Sequence, residues 1–280
     1  MYKTPRDLLQ RALEEDGAFH DITTLSTVPE QQQSQGHILT RQAGVVAGLA
    51  VAVDTFRYVD ERITVELHVQ DGDTVQAGTK LASLQGPARS VLSAERTALN
   101  FLGHLSGIAT LTAHCVHAIE GSHAHILDTR KTTPGLRSLE KQAVQLGGGQ
   151  NHRFGLSDGV LIKDNHIQAA GGIAQAVAAA RRIAPHLLKI EVECETLSEV
   201  EEALTSGADV ILLDNMYVDM MRSAVEMIRQ RAPHVLIEAS GSIGTNTERL
   251  IAVAGTGVDF ISLGALTHSA PNFDITLELV

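Results

Sequence analysis

From about residue 120 onward the chain keeps a regular beat of short apolar runs, at 125–128, 159–163, 188–192, 210–214, 235–238 and 260–263. The runs are roughly 23–33 residues apart, the length of a strand, a helix and two loops. Helical patterns fill the gaps. Residues 173–183 are Ala-rich, and Pro185 stops them. Thr196 and Glu199 form a capping-box pair, with Leu197, Val200 and Leu204 at helical spacing and Gly207 as the stop. Residues 217–231 and 245–253 complete the series. Strands alternating with helices predict parallel β-structure with crossover helices, as a barrel or a doubly wound sheet.

The first half has a different pattern. Residues 44–53 form a small-residue apolar stretch. The segment VELHVQDGDTVQAGTKLASLQG turns at Asp71–Gly72 and again at Ala77–Gly78, which predicts antiparallel strands. A helix follows from about Ser93 to beyond Leu105. The expected fold is α/β: an N-terminal α+β domain over residues 1–109, then an α/β barrel over 110–267, with the tail 268–280 packing back on the first domain.

Composition narrows the function. A chain of 280 residues with 44% hydrophobic residues can bury a sizeable core. The longest charge-free apolar run, residues 43–53, is too short to span a bilayer, and the N-terminus has no apolar signal core, so no membrane partner is expected. Cys115 and Cys194 cannot make a disulfide scaffold and read as reduced thiols of a cytoplasmic protein. A net charge of −11 with 3% aromatics argues against nucleic acid. The charge is unevenly placed. Residues 1–189 hold 18 basic and 18 acidic side chains, whereas 190–280 hold 4 and 15. Arg130, Lys131, Arg137, Lys141, Arg153 and Lys163 cluster in one stretch, with His152 beside Arg153.

In parallel α/β folds the reacting groups lie at the C-terminal ends of the strands. Each of the six predicted strands ends in polar or charged residues. Arg130, Arg153 and Lys163 together suit a ligand with more than one carboxylate or phosphate. Glu193 and Asp214, on neighbouring strands, suit a cationic centre, sugar hydroxyls or a divalent metal. Glu191 shares a strand face with Glu193 by period two. The turn SGSIGTN (240–246) suits a phosphate held at a helix N-terminus, although an ordinary β–α turn also favours Gly and Ser. His114, His117, His123 and His125 lack the carboxylates or cysteines of a metal site. Cys194 lies between two glutamates, which disfavours a thiolate.

The stretch DTRKTTPGLRSLEKQAVQLGGGQNHRFGLSDGVLIKDNHI closely resembles the quinolinate phosphoribosyltransferase family. The resemblance extends to DITT, SAERTALNFLGHLSGIAT, IEVECETL, LLDNM, EASGSI and VDFISLGALTHS, in order along nearly the whole chain. Gln142 departs from the tyrosine expected there. The family joins an N-terminal α+β open sandwich to an incomplete, about seven-stranded α/β barrel. The resemblance implies transfer of phosphoribosyl from phosphoribosyl pyrophosphate to quinolinate, giving nicotinate mononucleotide, pyrophosphate and carbon dioxide in NAD biosynthesis. The alternative is a relative of the same fold acting on another acceptor, such as the molybdenum-transport-associated proteins.

The resemblance also implies residue roles. Arg130, Arg153 and Lys163, with His152 nearby, match the quinolinate-carboxylate positions, and Thr129 adjoins them. Lys131 matches a position serving pyrophosphate or quinolinate. Glu193 and Asp214 match the acidic pair at the ribose and at Mg²⁺. Ser240, Gly241 and Ser242, and Ser262, Leu263 and Gly264, match the phosphate-binding turns. Arg96 matches an arginine that completes the site of a neighbouring subunit, so a homodimer or higher homo-oligomer is expected.

Overall fold

The computed structural model describes residues 6–280, which fall into two compact units. The first contains the chain up to Ala113, Thr133–Gly148 and Ser269–Val280. Its strands are β1 (Gln33–Thr40), β2 (Gly44–Val45), β3 (Thr64–Leu67), β4 (Thr74–Val75) and β5 (Lys80–Pro87). A four-stranded sheet runs in the order C-terminal strand (Ile275–Leu279), β1, β5, β3, while β2 and β4 pair separately. The C-terminal strand is antiparallel to β1, from Gly36 opposite Leu279 to Thr40 opposite Ile275.

The helix Ala88–Ala118 begins directly after Pro87. Val91, Ala94, Ala98 and Leu102 recur at helical spacing and enter one core with Ile38, Phe56, Leu81, Leu84 and Phe273. The small side chains let backbone come close. A Cβ on Gly107 would stand 2.1 Å from the Pro271 carbonyl oxygen. Gly107→Ala is therefore expected to cost about 1–3 kcal/mol through overpacking. A lower urea midpoint checks this, and an unchanged midpoint contradicts it.

DITT has a capping role here. Asp21 caps the helix Ile22–Thr27, accepting from the Thr24 amide at 3.0 Å and from the Thr24 and Ser93 hydroxyls. The Thr24 hydroxyl is the main cause holding this carboxyl below the usual range.

The helix Arg137–Leu146 belongs to the first unit rather than to the barrel expected over residues 110–267. Its Glu140 is fully buried, 2.8 Å from His104 Nε2, and accepts from the Thr133 amide. A Cβ on Gly147 would lie 2.3 Å from the Ala109 oxygen, so this helix packs tightly there. Lys141 is buried in the same unit. Arg137 and Lys141 therefore belong to a different unit from Arg130, Lys131, Arg153 and Lys163.

The second unit contains His114–Thr132 and Gly149–His268. Its strands are β6 (His125–Leu127), β7 (Val160–Ile162), β8 (Ile190–Cys194), β9 (Val210–Asp214), β10 (Leu236–Ser240) and β11 (Phe260–Ser262). All pairings between them are parallel, in the order β6-β11-β10-β9-β8-β7. The sheet has six strands rather than about seven. An isolated parallel bridge from Leu127 to Gln150 lies beside β6, too short to count as a strand.

Helices occupy the predicted gaps, including Ile173–Ile183, Leu197–Thr205, Val218–Arg231 and Thr247–Ala254. The Thr196 hydroxyl accepts from the Glu199 amide at 3.2 Å, and Glu199 accepts from the Thr196 amide at 3.0 Å, so the capping box forms. Among the described residues, no helix is long and apolar enough to cross a membrane.

Candidate active site

A cavity of about 560 Å³ opens at the C-terminal ends of the parallel strands. Strand alternation explains its lining. Leu161 and Lys163 follow β7 at period two. So do Leu212 and Asp214 on β9, Glu238 and Ser240 on β10, and Ser262 and Gly264 at the end of β11. Leu212 pairs with Glu238, and Asp214 with Ser240, across the β9–β10 ladder. The residues between them, such as Ile211, Leu213, Ile237 and Ala239, are buried apolar side chains.

The cavity brings together Thr129, Arg130, Lys131, His152, Arg153, Lys163, Glu193, Asp214, Ser240, Gly241, Ser242, Ser262 and Gly264. Two residues fall outside this set. Leu263 is buried with its amide bonded to the Leu127 carbonyl, because it alternates away from the inner face. Arg96 is exposed on the long helix of the first unit.

The cationic side is built on buried anchors. Asp128, fully buried at the end of β6, accepts from Asn151 Nδ2 at 2.6 Å and from the His152 amide at 2.8 Å. This fixes the loop carrying His152 and Arg153. Arg153 Nη1 donates to the Gly159 carbonyl at 2.9 Å. Burial, then the charge of nearby Arg130, makes the Arg153 guanidinium less favourable than usual. Lys163 is held by the Glu193 carboxylate. Lys131 packs so closely on Gly264 that a Cβ there would lie 2.9 Å from Lys131 Cδ.

The hydroxyl-rich turn 240–246 runs straight into the next helix. That helix starts at Thr247 and is capped by Asn246, with residues 240–242 earlier in the same turn. Asn215 shapes the turn. It adopts a left-handed φ of 53° and accepts from the Ser242 amide at 3.0 Å. Gly241 has φ 97°, and a Cβ there would meet Asn215 Oδ1 at 2.4 Å. Asn215 was visible in sequence only as a polar strand end; its role depends on register with β10.

A second feature emerges only in three dimensions. His152 Nε2 lies 3.2 Å from Glu191 and 3.5 Å from Glu238, both buried. For His152, burial opposes the charged ring, while the two glutamates favour it, and the balance is upward. Burial first, then the charge of Glu191, pushes the Glu238 carboxyl up to about 8. Its ordinary value is 4.5, so folding takes up a proton between these values. This contribution to stability is complete below about pH 4.5 and is lost as pH rises through about 8. Glu238→Gln cannot titrate, so its stability relative to the parent chain should rise from pH 5 to pH 8. Parallel urea-unfolding curves at the two pH values would contradict this.

The other histidines have separate partners. His117 meets Glu120, His123 meets Asp259, His114 meets Thr247 and His125 lies against Phe260. Burial pushes both thiols up to about 12, so neither is poised as a nucleophile.

Two family models match in order: quinolinate phosphoribosyl transferase, N-terminal domain, over residues 21–106, and the C-terminal domain over 108–278. The probable nicotinate-nucleotide pyrophosphorylase (carboxylating) of Bacillus subtilis is 44% identical, covering 98% of this chain and 93% of the relative. The Mycobacterium leprae nicotinate-nucleotide pyrophosphorylase (carboxylating) is 45% identical, covering 99% and 98%. A solved nicotinate-nucleotide pyrophosphorylase from Ehrlichia chaffeensis superposes with a TM-score of 0.93 at 38% identity, covering 100% of each chain. The two family models and the relatives both span nearly the whole chain, and the chain belongs to the quinolinate phosphoribosyl transferase family.

Proposed function

We propose that the chain transfers phosphoribosyl from phosphoribosyl pyrophosphate to quinolinate, with loss of carbon dioxide, to make nicotinate mononucleotide for NAD synthesis. The observation that carries this reading is the division of the cavity: Arg130, Lys131, Arg153 and Lys163 share it with Glu193 and Asp214. Quinolinate is a pyridine dicarboxylate and needs several cations. Burial and the charge of Arg130 disfavour the Arg153 guanidinium while Glu191 and Asp158 favour it, and a substrate carboxylate beside Arg130 and Arg153 would add to the favourable side.

Breaking the ribose C1–pyrophosphate bond builds positive charge on the sugar. Glu193 and Asp214 stabilise it electrostatically. The pyridine nitrogen forms the new bond to C1 as pyrophosphate leaves with the old bonding pair. As the adjacent carboxylate departs as carbon dioxide, the pair of the broken C–C bond stays on that ring carbon, stabilised by the neighbouring cationic nitrogen, and takes up a proton from water to complete the product. Binding and charge placement account for these steps without a dedicated general base.

Glu193 and Asp214 offer hard oxygen donors in one cavity, which fits Mg²⁺. They would hold it directly or through substrate and water, and it would neutralise charge on the pyrophosphate. Lys131 supplies a positive charge for the same group. Ser240–Ser242 and Ser262–Gly264 offer hydroxyls and close backbone to a phosphate. Exposed Arg96 reaches the cavity of a neighbouring copy in a homodimer or higher oligomer. The free thiols fit a reducing, cytoplasmic compartment.

The test is substrate choice. With phosphoribosyl pyrophosphate and Mg²⁺, quinolinate should support pyrophosphate release and nicotinate should not. Equal rates with both would refute dicarboxylate recognition.

A further inference from the structure

Glu191 and Glu238 are an expensive choice for the interior of a barrel. They are 7% and 3% exposed, and Oε1 of each has no hydrogen-bond partner. Barrel interiors are ordinarily filled by Val, Ile and Leu, and buried carboxylates need a compensating interaction. Here both carboxylates converge on His152 Nε2. The opposite ring nitrogen settles where the hydrogen lies. His152 Nδ1 accepts the Arg153 amide at 2.8 Å. Nδ1 therefore presents its lone pair, and Nε2 carries the hydrogen, which meets Glu191 at 3.2 Å while Glu238 lies beside it at 3.5 Å and acts through its charge.

We propose that Glu191 and Glu238 are positioning residues for quinolinate recognition: they hold the His152 ring, which fixes the Arg153 main chain and so aims its guanidinium. This rests on the reading that Arg153 binds a quinolinate carboxylate. His152 consequently acts through its neighbours, with both ring nitrogens used inside the protein. The three side chains also bring their ligand atoms within 4.8 Å of one another, a spacing compatible with a metal ion. The hydrogen on Nε2 argues against that use, because a metal needs the nitrogen lone pair.

The experiment is steady-state kinetics on the full chain, with Glu191→Ala and Glu238→Ala. Each should raise the quinolinate KM about tenfold while leaving the phosphoribosyl pyrophosphate KM within about twofold. Glu191→Gln keeps an acceptor for the ring and should restore most of the quinolinate KM. In a His152→Ala background the alanine effects should vanish, since the link they act through is gone. Glu238→Leu, which keeps volume without an acceptor, takes the place of an alanine chain that does not fold.

Equal rises in both KM values, or full additivity with His152→Ala, would overturn the positioning role. One equivalent of metal retained by the parent and lost in Glu238→Ala would also overturn it. Failure of the two ideas is distinguishable. An unsubstituted chain without turnover refutes the proposed function. Turnover with an unmoved quinolinate KM in both alanine variants refutes only this inference.

Discussion

Arg130→Ala is expected to lower kcat/KM for quinolinate by about 10²- to 10³-fold, the cost of removing one partner from a desolvated, charge-assisted pair. Arg130 and Arg153 are close enough for the charge of one to disfavour the other. A dicarboxylate relieves that conflict and gains two strong contacts. With Arg130 gone, the substrate loses both a contact and its orientation. KM should rise and kcat should fall together, because orientation also serves the transition state. The phosphoribosyl pyrophosphate KM should change much less, since Glu193, Asp214 and the serine turns remain. Near-parental quinolinate kinetics would remove Arg130 from the binding site.

Mixing two inactive chains should restore activity. Lys163→Ala damages the barrel cavity, where Lys163 is held by Glu193. Arg96→Ala removes an exposed side chain of the first unit. If Arg96 serves the neighbouring subunit, a mixed dimer concentrates both defects in one site and leaves the other intact. Random reassortment at equal concentrations should recover about a quarter of parental activity. No recovery after demonstrated subunit exchange would contradict a shared site.

The barrel strands were legible because each is an apolar run bounded by turn signals. The helix Leu197–Thr205 was legible because its capping box is local. Strand β1 was obscured by its sequence, QSQGHILT. Gly36 sits in its middle, where a Cβ would lie 2.9 Å from the Glu278 oxygen, so its identity depends on the C-terminal strand more than 200 residues away. The helix Arg137–Leu146 hid behind buried Glu140 and Lys141, which break the expected apolar face.

The same contrast divides the site. Arg130, Arg153, Lys163, Glu193 and Asp214 were visible as strand-end charges, and one cavity collects them. Leu263 was swept in with its turn although alternation turns it into the core. The meeting of His152, Glu191 and Glu238 depends on a loop reaching two separate strands. No local sequence pattern encodes that approach. The excess acid of the last 91 residues likewise conceals a local cationic surface supplied by residues 129–163.

The most direct test follows the carbon that leaves. Quinolinate labelled in the carboxylate beside the ring nitrogen is incubated with phosphoribosyl pyrophosphate, Mg²⁺ and the full chain. Labelled carbon dioxide, pyrophosphate and nicotinate mononucleotide should appear in equal amounts. No labelled carbon dioxide under conditions where a known family enzyme turns over would contradict the account.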